Sequence, residues 1–321
     1  MTDFQHVEAN GITHRVAVKG DGPLVLFVHG FPESWYSWRH QINAFAEAGF
    51  TAAAPDVRGY GGTDKPQDVS AYTMREHTAD MAGIAKALSP DAPAIIIGHD
   101  WGAPIAWNSA LLHPEQFRAV AGLSVPYIPP GEVPSLELYD KVFTQNGLFF
   151  YQVYFQEEGI AEAELEADPA RTIRLFYYNI SGDLPDDEKP YIKKLGSDLL
   201  TGQMEPALPL SWLSEADVAY YAGEFANSGF RGPLNRYRND REDHAYLRAQ
   251  PDMRIHQPSF FIGGSKDPVL TFFQGDPLKL MSPNLTNLQG CHVLDGCGHW
   301  TQQERADEVN THLINWAKRL S

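Results

Sequence analysis

The stretch that most constrains this chain is IIIGHDWGAPIAW, residues 95–107. An apolar, β-branched run ends at Gly98, two polar residues follow, and small residues open a helical pattern at Gly102. This is a G-x-Nuc-x-G frame, a sharp strand-to-helix turn that presents one side chain at the carboxyl end of a parallel strand. Such a frame commonly holds serine, yet its central residue here is Asp100. An aspartate before a helix can also be a simple N-cap. The glycines on both sides and the apolar run before them favour a presented nucleophile.

The rest of the chain supplies the strands and helices that such a turn requires. Residues 4–9 and 12–18 alternate around Asn10-Gly11, a strong hairpin turn. Residues 24–28, 51–55, 94–97 and 119–125 are short apolar runs of the kind that parallel strands buried on both faces show. Helical patterns at 35–48, 73–88 and 102–112 fall between them, which argues a parallel α/β sheet. From about residue 126 to 240 the chain is mostly helical and aromatic. There Ser214 and Asp217 are spaced as a capping box, Gly229 is placed as a helix stop and Pro233 near a helix start. Strand signals resume at 258–264 and 292–296, and an amphipathic helix spans 304–319. The reading is an α/β core of residues 1–127 and 240–321, split by a helical cap of residues 128–239.

Composition bounds the partners. The 25 basic and 41 acidic residues leave a formal charge of −16, and no basic cluster suits nucleic acid. The N-terminus lacks the basic and apolar regions of a signal peptide, and no apolar run reaches the ~18 residues that span a bilayer. Cys291 and Cys297 make no disulfide framework and fit a reducing compartment. The expectation is a soluble cytoplasmic protein that binds neither membrane nor nucleic acid; a homodimer is compatible with it.

Three further stretches carry chemistry. HGFPESWYSWR (29–39) follows the run 24–28. The backbone N–H of Phe31, with that of Trp101, is placed to hold an oxyanion beside Asp100. GGSKDPVL (263–270) puts Asp267 on the loop after one strand, and GCGHWTQQE (296–304) puts His299 after the next. A lone loop aspartate or a histidine beside tryptophan is commonly structural. Three such residues in the order nucleophile, acid, base, each after its own strand, form a catalytic triad of Asp100, Asp267 and His299. A metal centre is not expected. HExxH is missing, and Cys291 and His292 are read as preceding a strand that Cys297 and His299 follow. The glycines of RGYGGTD lack the G-K-[ST] ending of a phosphate loop.

Taken together, HGFPESWYSWR, DVRGYGGTDKP, GHDWGAPIAW, YQVYFQEEGIAEAELE, SGFRGPLNRYRN and GHWTQQE resemble the epoxide hydrolases of the α/β-hydrolase superfamily, over nearly the whole chain. The last three are close to the soluble epoxide hydrolase type. The resemblance implies an α/β-hydrolase fold, mostly parallel and flanked by helices, with the cap inserted after the sixth strand. It implies two cap tyrosines that hydrogen-bond the epoxide oxygen, falling on Tyr151 and Tyr237, and a cis peptide before Pro32. Tyr154, one helical turn from Tyr151, is the competing choice. Where the family reads NWYRN this chain reads NRYRN, so Arg236 stands in place of a tryptophan at the pocket edge. The expected substrate pocket includes His29, Pro32, Trp101 and Tyr154.

Aspartate at the turn suits displacement at a saturated carbon, because a carboxylate is already ionised at neutral pH. It can form an alkyl ester, leaving His299, oriented by Asp267, free to activate water in a second step. The expected reaction converts a small-molecule epoxide to a vicinal diol, with water and no cofactor. A haloalkane or haloacid dehalogenase would use the same three residues, with the Trp101 indole as one halide donor. A hydrolase fold reused for binding would show a damaged triad, and this one is intact.

Overall fold

The computed structural model describes residues 3–188, 193–272 and 276–320. Eight strands form one sheet in the order β1-β2-β4-β3-β5-β6-β7-β8. These are β1 (Asp3–Ala9), β2 (Ile12–Lys19), β3 (Leu24–Val28), β4 (Thr51–Pro55), β5 (Ala94–His99), β6 (Phe117–Leu123), β7 (Ser259–Gly264) and β8 (Leu288–Leu294). β1 pairs antiparallel with β2, and β2 antiparallel with β4; every later pairing is parallel.

The continuous apolar runs of β3 and β5 are explained by burial on both faces. Alternate side chains serve two separate cores. Val25, Phe27, Ile95 and Ile97 pack with Ile42 and Phe45 of helix α1 (Arg39–Glu47) and with Leu313 and Trp316 of the C-terminal helix Ala306–Arg319. Leu26, Val28 and Ile96 pack on the other side with Met81 and Ile84 of α2 (Met74–Leu88) and Ile105 of α3 (Gly102–Leu112).

Between β6 and β7 the chain leaves the sheet. It forms α4 (Ser135–Val142), α5 (Tyr151–Tyr154), α6 (Ile160–Glu166), α7 (Pro169–Asn179), α8 (Glu215–Ser228), α9 (Arg231–Asn235) and α10 (Asp240–Arg248). The capping box of α8 forms as its spacing predicts. Ser214 Oγ accepts from Asp217 N at 3.2 Å, and Asp217 Oδ2 accepts from Ser214 N at 2.8 Å. This inserted segment is docked on the core by Arg15 against Glu224, Tyr36 Oη donating to Asp217 at 2.9 Å and Trp35 Nε1 donating to Tyr220 Oη at 2.7 Å.

Several boundaries differ from the sequence reading: β6 ends at Leu123 and not at residue 125, the 35–48 pattern is a 3-10 turn at Trp35–Trp38 followed by α1, and two further differences lie near the C-terminal end. The last strand begins at Leu288, so Cys291 and His292 lie inside β8 and do not precede it. Gly290 masks the pattern. Its missing side chain makes room for the Phe260 ring, which a Cβ would approach to 2.2 Å. The C-terminal helix is broken at Arg305, whose φ of −129 separates Thr301–Glu304 from Ala306–Arg319. No helix among the described residues is long and apolar enough to cross a membrane.

At the turn after β5 the backbones nearly touch. A Cβ on Gly98 would lie 1.9 Å from the carbonyl oxygen of Gly102, and one on Gly102 would lie 2.0 Å from that of Val28. Neither neighbour is a movable side chain. Gly102→Ala should therefore cost about 2 kcal/mol or more, the range of overpacked cores or beyond it. Gly223→Ala, in exposed α8 with nothing within 4 Å, should be neutral or gain up to about 1 kcal/mol in helix propensity. Urea unfolding of the two variants measures the contrast, and equal stabilities would refute the steric argument.

Candidate active site

Asp100 occupies the turn in the left-handed region, with φ +50. A non-glycine residue there is strained, and the surrounding close packing imposes it. The side chain does not cap α3, whose N-cap position is Trp101 and carries no side-chain cap bond. Instead Asp100 Oδ1 accepts from the Phe31 N–H at 2.7 Å, and Oδ2 lies 3.4 Å from His299 Nε2. The Trp101 N–H opens α3 in helical conformation, with φ −59. The Phe31–Pro32 peptide is cis.

The three triad residues meet. His299 Nδ1 lies 3.1 Å from Asp267 Oδ1, and Asp267 Oδ1 also accepts from Val269 N at 2.9 Å. Asp100 is 17% exposed at its side chain, whereas His299 and Asp267 are sealed at 2% and 0%. Of the three, only the carboxylate at the turn is accessible.

Tyr151 and Tyr237 are also brought together, with ring centroids 6.0 Å apart. Tyr237 stands edge-on to Trp101 at 5.1 Å and to Phe31 at 5.6 Å. Buried Phe155 fills the space behind, 5.0 Å from Tyr237 and 5.6 Å from Tyr151. Gln152 Nε2 donates to the Tyr151 hydroxyl at 2.9 Å, and Gln156 Nε2 donates to the Tyr237 carbonyl at 3.0 Å. Burial foremost, with the Asp100 charge adding to it, pushes both phenols above their ordinary pKa. Both are therefore neutral donors.

Two expected pocket residues are engaged elsewhere. The Tyr154 hydroxyl donates to Glu164 Oε2 at 2.9 Å, and Glu164 in turn accepts from the Leu199 and Leu200 amides. His29 is buried, and its ring nitrogens are taken by backbone: Nε2 accepts from Val57 N at 3.0 Å while Nδ1 donates to the Gly30 carbonyl at 2.9 Å. Burial lowers its pKa, in keeping with this neutral tautomer. Both residues build the frame and offer no free polar group. Pro32 contributes its carbonyl to the Tyr177 hydroxyl at 3.3 Å.

The profile of the alpha/beta hydrolase fold family matches residues 23–306. Epoxide hydrolase A of Mycobacterium tuberculosis is 41% identical over 98% of this chain and 97% of its own length. An epoxide hydrolase of Caballeronia sordidicola is 38% identical over 98% of this chain and 93% of its own. Among solved structures, an epoxide hydrolase from an endophytic Streptomyces superposes with a TM-score of 0.94 at 45% identity, covering 99% of this chain and 96% of that one. The chain belongs to the epoxide hydrolases of the α/β-hydrolase family.

Family likeness does not explain how the site is held, and here the sequence reading missed several groups. Ser124, just after β6 with φ +69, donates to Asp267 Oδ2 at 2.6 Å and lies 3.0 Å from His299 Nδ1. Its signal was its place at the carboxyl end of the strand beside β5. Behind His299, the His99 ring bridges the His299 carbonyl and Glu33 Oε1, each at 2.7 Å. Buried Glu33 also accepts from Gly30 N at 2.9 Å and Gln302 Nε2 at 3.0 Å. Burial alone would raise the Glu33 pKa, but its His99 partner holds it below the ordinary value. Glu304 clamps the base loop, accepting from Gly298 N at 2.8 Å, Trp300 N at 3.0 Å and Gly182 N at 2.9 Å.

His299 has the most consequential electrostatics. Burial favours the neutral ring, yet Asp267 and Asp100 on either side outweigh it and push the imidazole pKa well above its usual value. The Asp100 carboxyl is lowered against its own burial, chiefly through the same histidine. In the free enzyme the pair is thus carboxylate and imidazolium. Removing a flanking carboxylate destabilises the cation, so Asp267→Asn should bring the His299 pKa down. Imidazole nitrogen shifts followed by NMR against pH measure this, and an unchanged or raised value would contradict the assignment.

Proposed function

We propose that this chain hydrolyses epoxides to vicinal diols through an alkyl ester on Asp100. The observation that carries the reading is the Asp100 carboxylate held on the turn by the Phe31 N–H at 2.7 Å, with the Tyr151 and Tyr237 rings brought together at 6.0 Å and near enough that its charge helps to raise the pKa of both phenols. Asp100 Oδ1 is held by the Phe31 N–H, which leaves Oδ2 to attack an epoxide carbon. The carbon–oxygen bond breaks as the new ester bond forms. Tyr151 and Tyr237 donate to the departing oxygen, which stays in the molecule as the first hydroxyl.

Ester formation changes the state of the base. It removes one of the two negative charges that hold His299 protonated, so the ring gives up its proton, which the ring-opened alkoxide takes to become the first hydroxyl. Neutral Nε2, oriented through Nδ1 by Asp267, then takes a proton from water. The resulting hydroxide attacks the ester carbon, and the Phe31 and Trp101 N–H groups hold the oxyanion on Oδ1. Collapse breaks the bond between the acyl carbon and the former Oδ2; the departing alkoxide takes the remaining proton of the attacking water, which releases the diol and restores the carboxylate. No metal or organic cofactor has a step in this scheme.

A dehalogenase reading would need the Trp101 indole free for halide. Here that ring is packed between Arg236 and Tyr237, which favours the epoxide. The cytoplasmic placement rests on the acidic composition and the free thiols Cys291 and Cys297.

One single-turnover experiment tests the nucleophile. With enzyme in excess over styrene oxide in heavy-oxygen water, the first diol should be unlabelled and the Asp100 peptide should gain the label. Direct attack by water predicts a labelled diol and an unchanged peptide. His299→Gln should stop after alkylation, with the adduct mass retained on that peptide.

The tyrosines give a second test. Loss of one donor to a developing oxyanion costs roughly 10²-fold or more. Tyr151→Phe and Tyr237→Phe should each slow alkylation by about that factor, and the double variant should be nearly inactive. Tyr154→Phe, whose hydroxyl is spent on Glu164, should alkylate at close to the parent rate. Stopped-flow measurement with styrene oxide distinguishes them, and the opposite ranking would move the donor role to Tyr154.

A further inference from the structure

Arg236 is a buried cation with an unusual set of neighbours. Its residue is 5% exposed. One terminal nitrogen is paired with Asp243 Oδ2, and the other oxygen of Asp243 accepts from Met74 N at 2.6 Å, at the first turn of α2. The guanidinium centre lies 4.2 Å from the centroid of the Trp101 ring. Its Nε is buried without a hydrogen-bond partner. A donor left unpaired in the interior calls for an account of what the group does there.

The chain positions make this stack significant. Trp101 directly follows the nucleophile Asp100, and Arg236 directly precedes Tyr237. The indole meets the guanidinium on one side and the edge of the Tyr237 ring, at 5.1 Å and 85°, on another. Two dipeptides from opposite walls of the site, Asp100-Trp101 and Arg236-Tyr237, are thus clasped through one aromatic ring. The clasp is fixed to the sheet domain through Asp243 and α2.

We propose that Arg236 is a positioning residue for epoxide opening, acting through Trp101 to set the Tyr237 hydroxyl relative to Asp100. The proposal rests on the epoxide-hydrolase reading above. Opening a three-membered ring requires the carboxylate and the phenol to meet opposite ends of one bond together. A misplacement of about 1 Å in such a pair can cost roughly 10²-fold. Ester hydrolysis makes no such demand. It uses His299, Asp267 and two backbone N–H groups, and the Trp101 amide is held by α3 whatever its indole does. Loss of the clasp therefore acts on the first half-reaction alone.

The test separates the two steps by stopped-flow with styrene oxide, alkylation read in single turnover and hydrolysis from decay of the alkyl-enzyme. Arg236→Met, which keeps the length and removes the charge and the planar fork, should slow alkylation about 10-fold or more and leave hydrolysis within about 2-fold. Arg236→Lys keeps the pairing with Asp243 but loses the flat face against the indole. It should show the same selective loss at a smaller size, about 3-fold, and it carries the test if the methionine variant does not fold. Trp101→Leu should slow alkylation too, and adding it to the arginine change should bring little further loss, since both break one clasp. Unchanged alkylation in the folded arginine variants, or an equal fall in both steps, would overturn the proposal. A parent enzyme that forms no Asp100 ester would instead overturn the epoxide reading, and this assignment with it.

Discussion

Everything at this site depends on a steric constraint at one turn. Three backbone segments converge after β5 so closely that Gly98 and Gly102 leave no space for a methyl group. The same crowding holds Asp100 in the left-handed region, which an aspartate visits only occasionally. The strain is local, and the sheet around it is fully buried, so the packing over-determines the turn. A flexible loop could offer the same carboxylate. It could not keep Oδ1 on the Phe31 amide and Oδ2 beside His299 at once.

Charge then does what geometry alone does not. His299 stands between two carboxylates of different fate. Asp267 is sealed, takes hydrogen bonds from Ser124 and Val269, and forms no bond to substrate in the proposed scheme. On the proposed scheme Asp100 loses its charge when it is alkylated. The imidazole would then sense which half of the reaction the enzyme is in, its proton affinity falling just when a base is required. The polar groups behind it, Glu33, His99 and Glu304, are spent on one another and on the backbone around His299. They fix the backbone on which that sensing relies.

Much of this was legible in the chain because it is written locally. The turn around Asp100, the strands, the capping box at Ser214 and the loops bearing Asp267 and His299 each follow from residues adjacent in sequence. The tyrosines were harder. Tyr151 and Tyr154 share an equally apolar stretch, and only the distant Glu164 separates them, by taking the Tyr154 hydroxyl. His29 carries a catalytic-looking residue type, yet two backbone groups occupy its ring. Ser124 read as one more strand residue because its partners lie 143 and 175 positions away. Arg236 stood out as a departure from NWYRN, but its stack on Trp101 and the tie of its partner Asp243 to Met74 join stretches far apart in the chain. Tertiary contacts of this kind leave no periodicity to read.

The base loop is held as much by the inserted helices as by the sheet. The His299 N–H donates to the Ile180 carbonyl at 2.9 Å, and Trp300 lies flat on Tyr177 with centroids 4.1 Å apart and donates to its carbonyl at 2.8 Å. Glu304 completes the join by gripping Gly182 together with Gly298 and Trp300. Trimming the insertion away would thus not unroof a finished catalyst. It would strip His299, the proposed base, of the contacts that hold its backbone and its neighbour Trp300, so the two parts are not interchangeable modules.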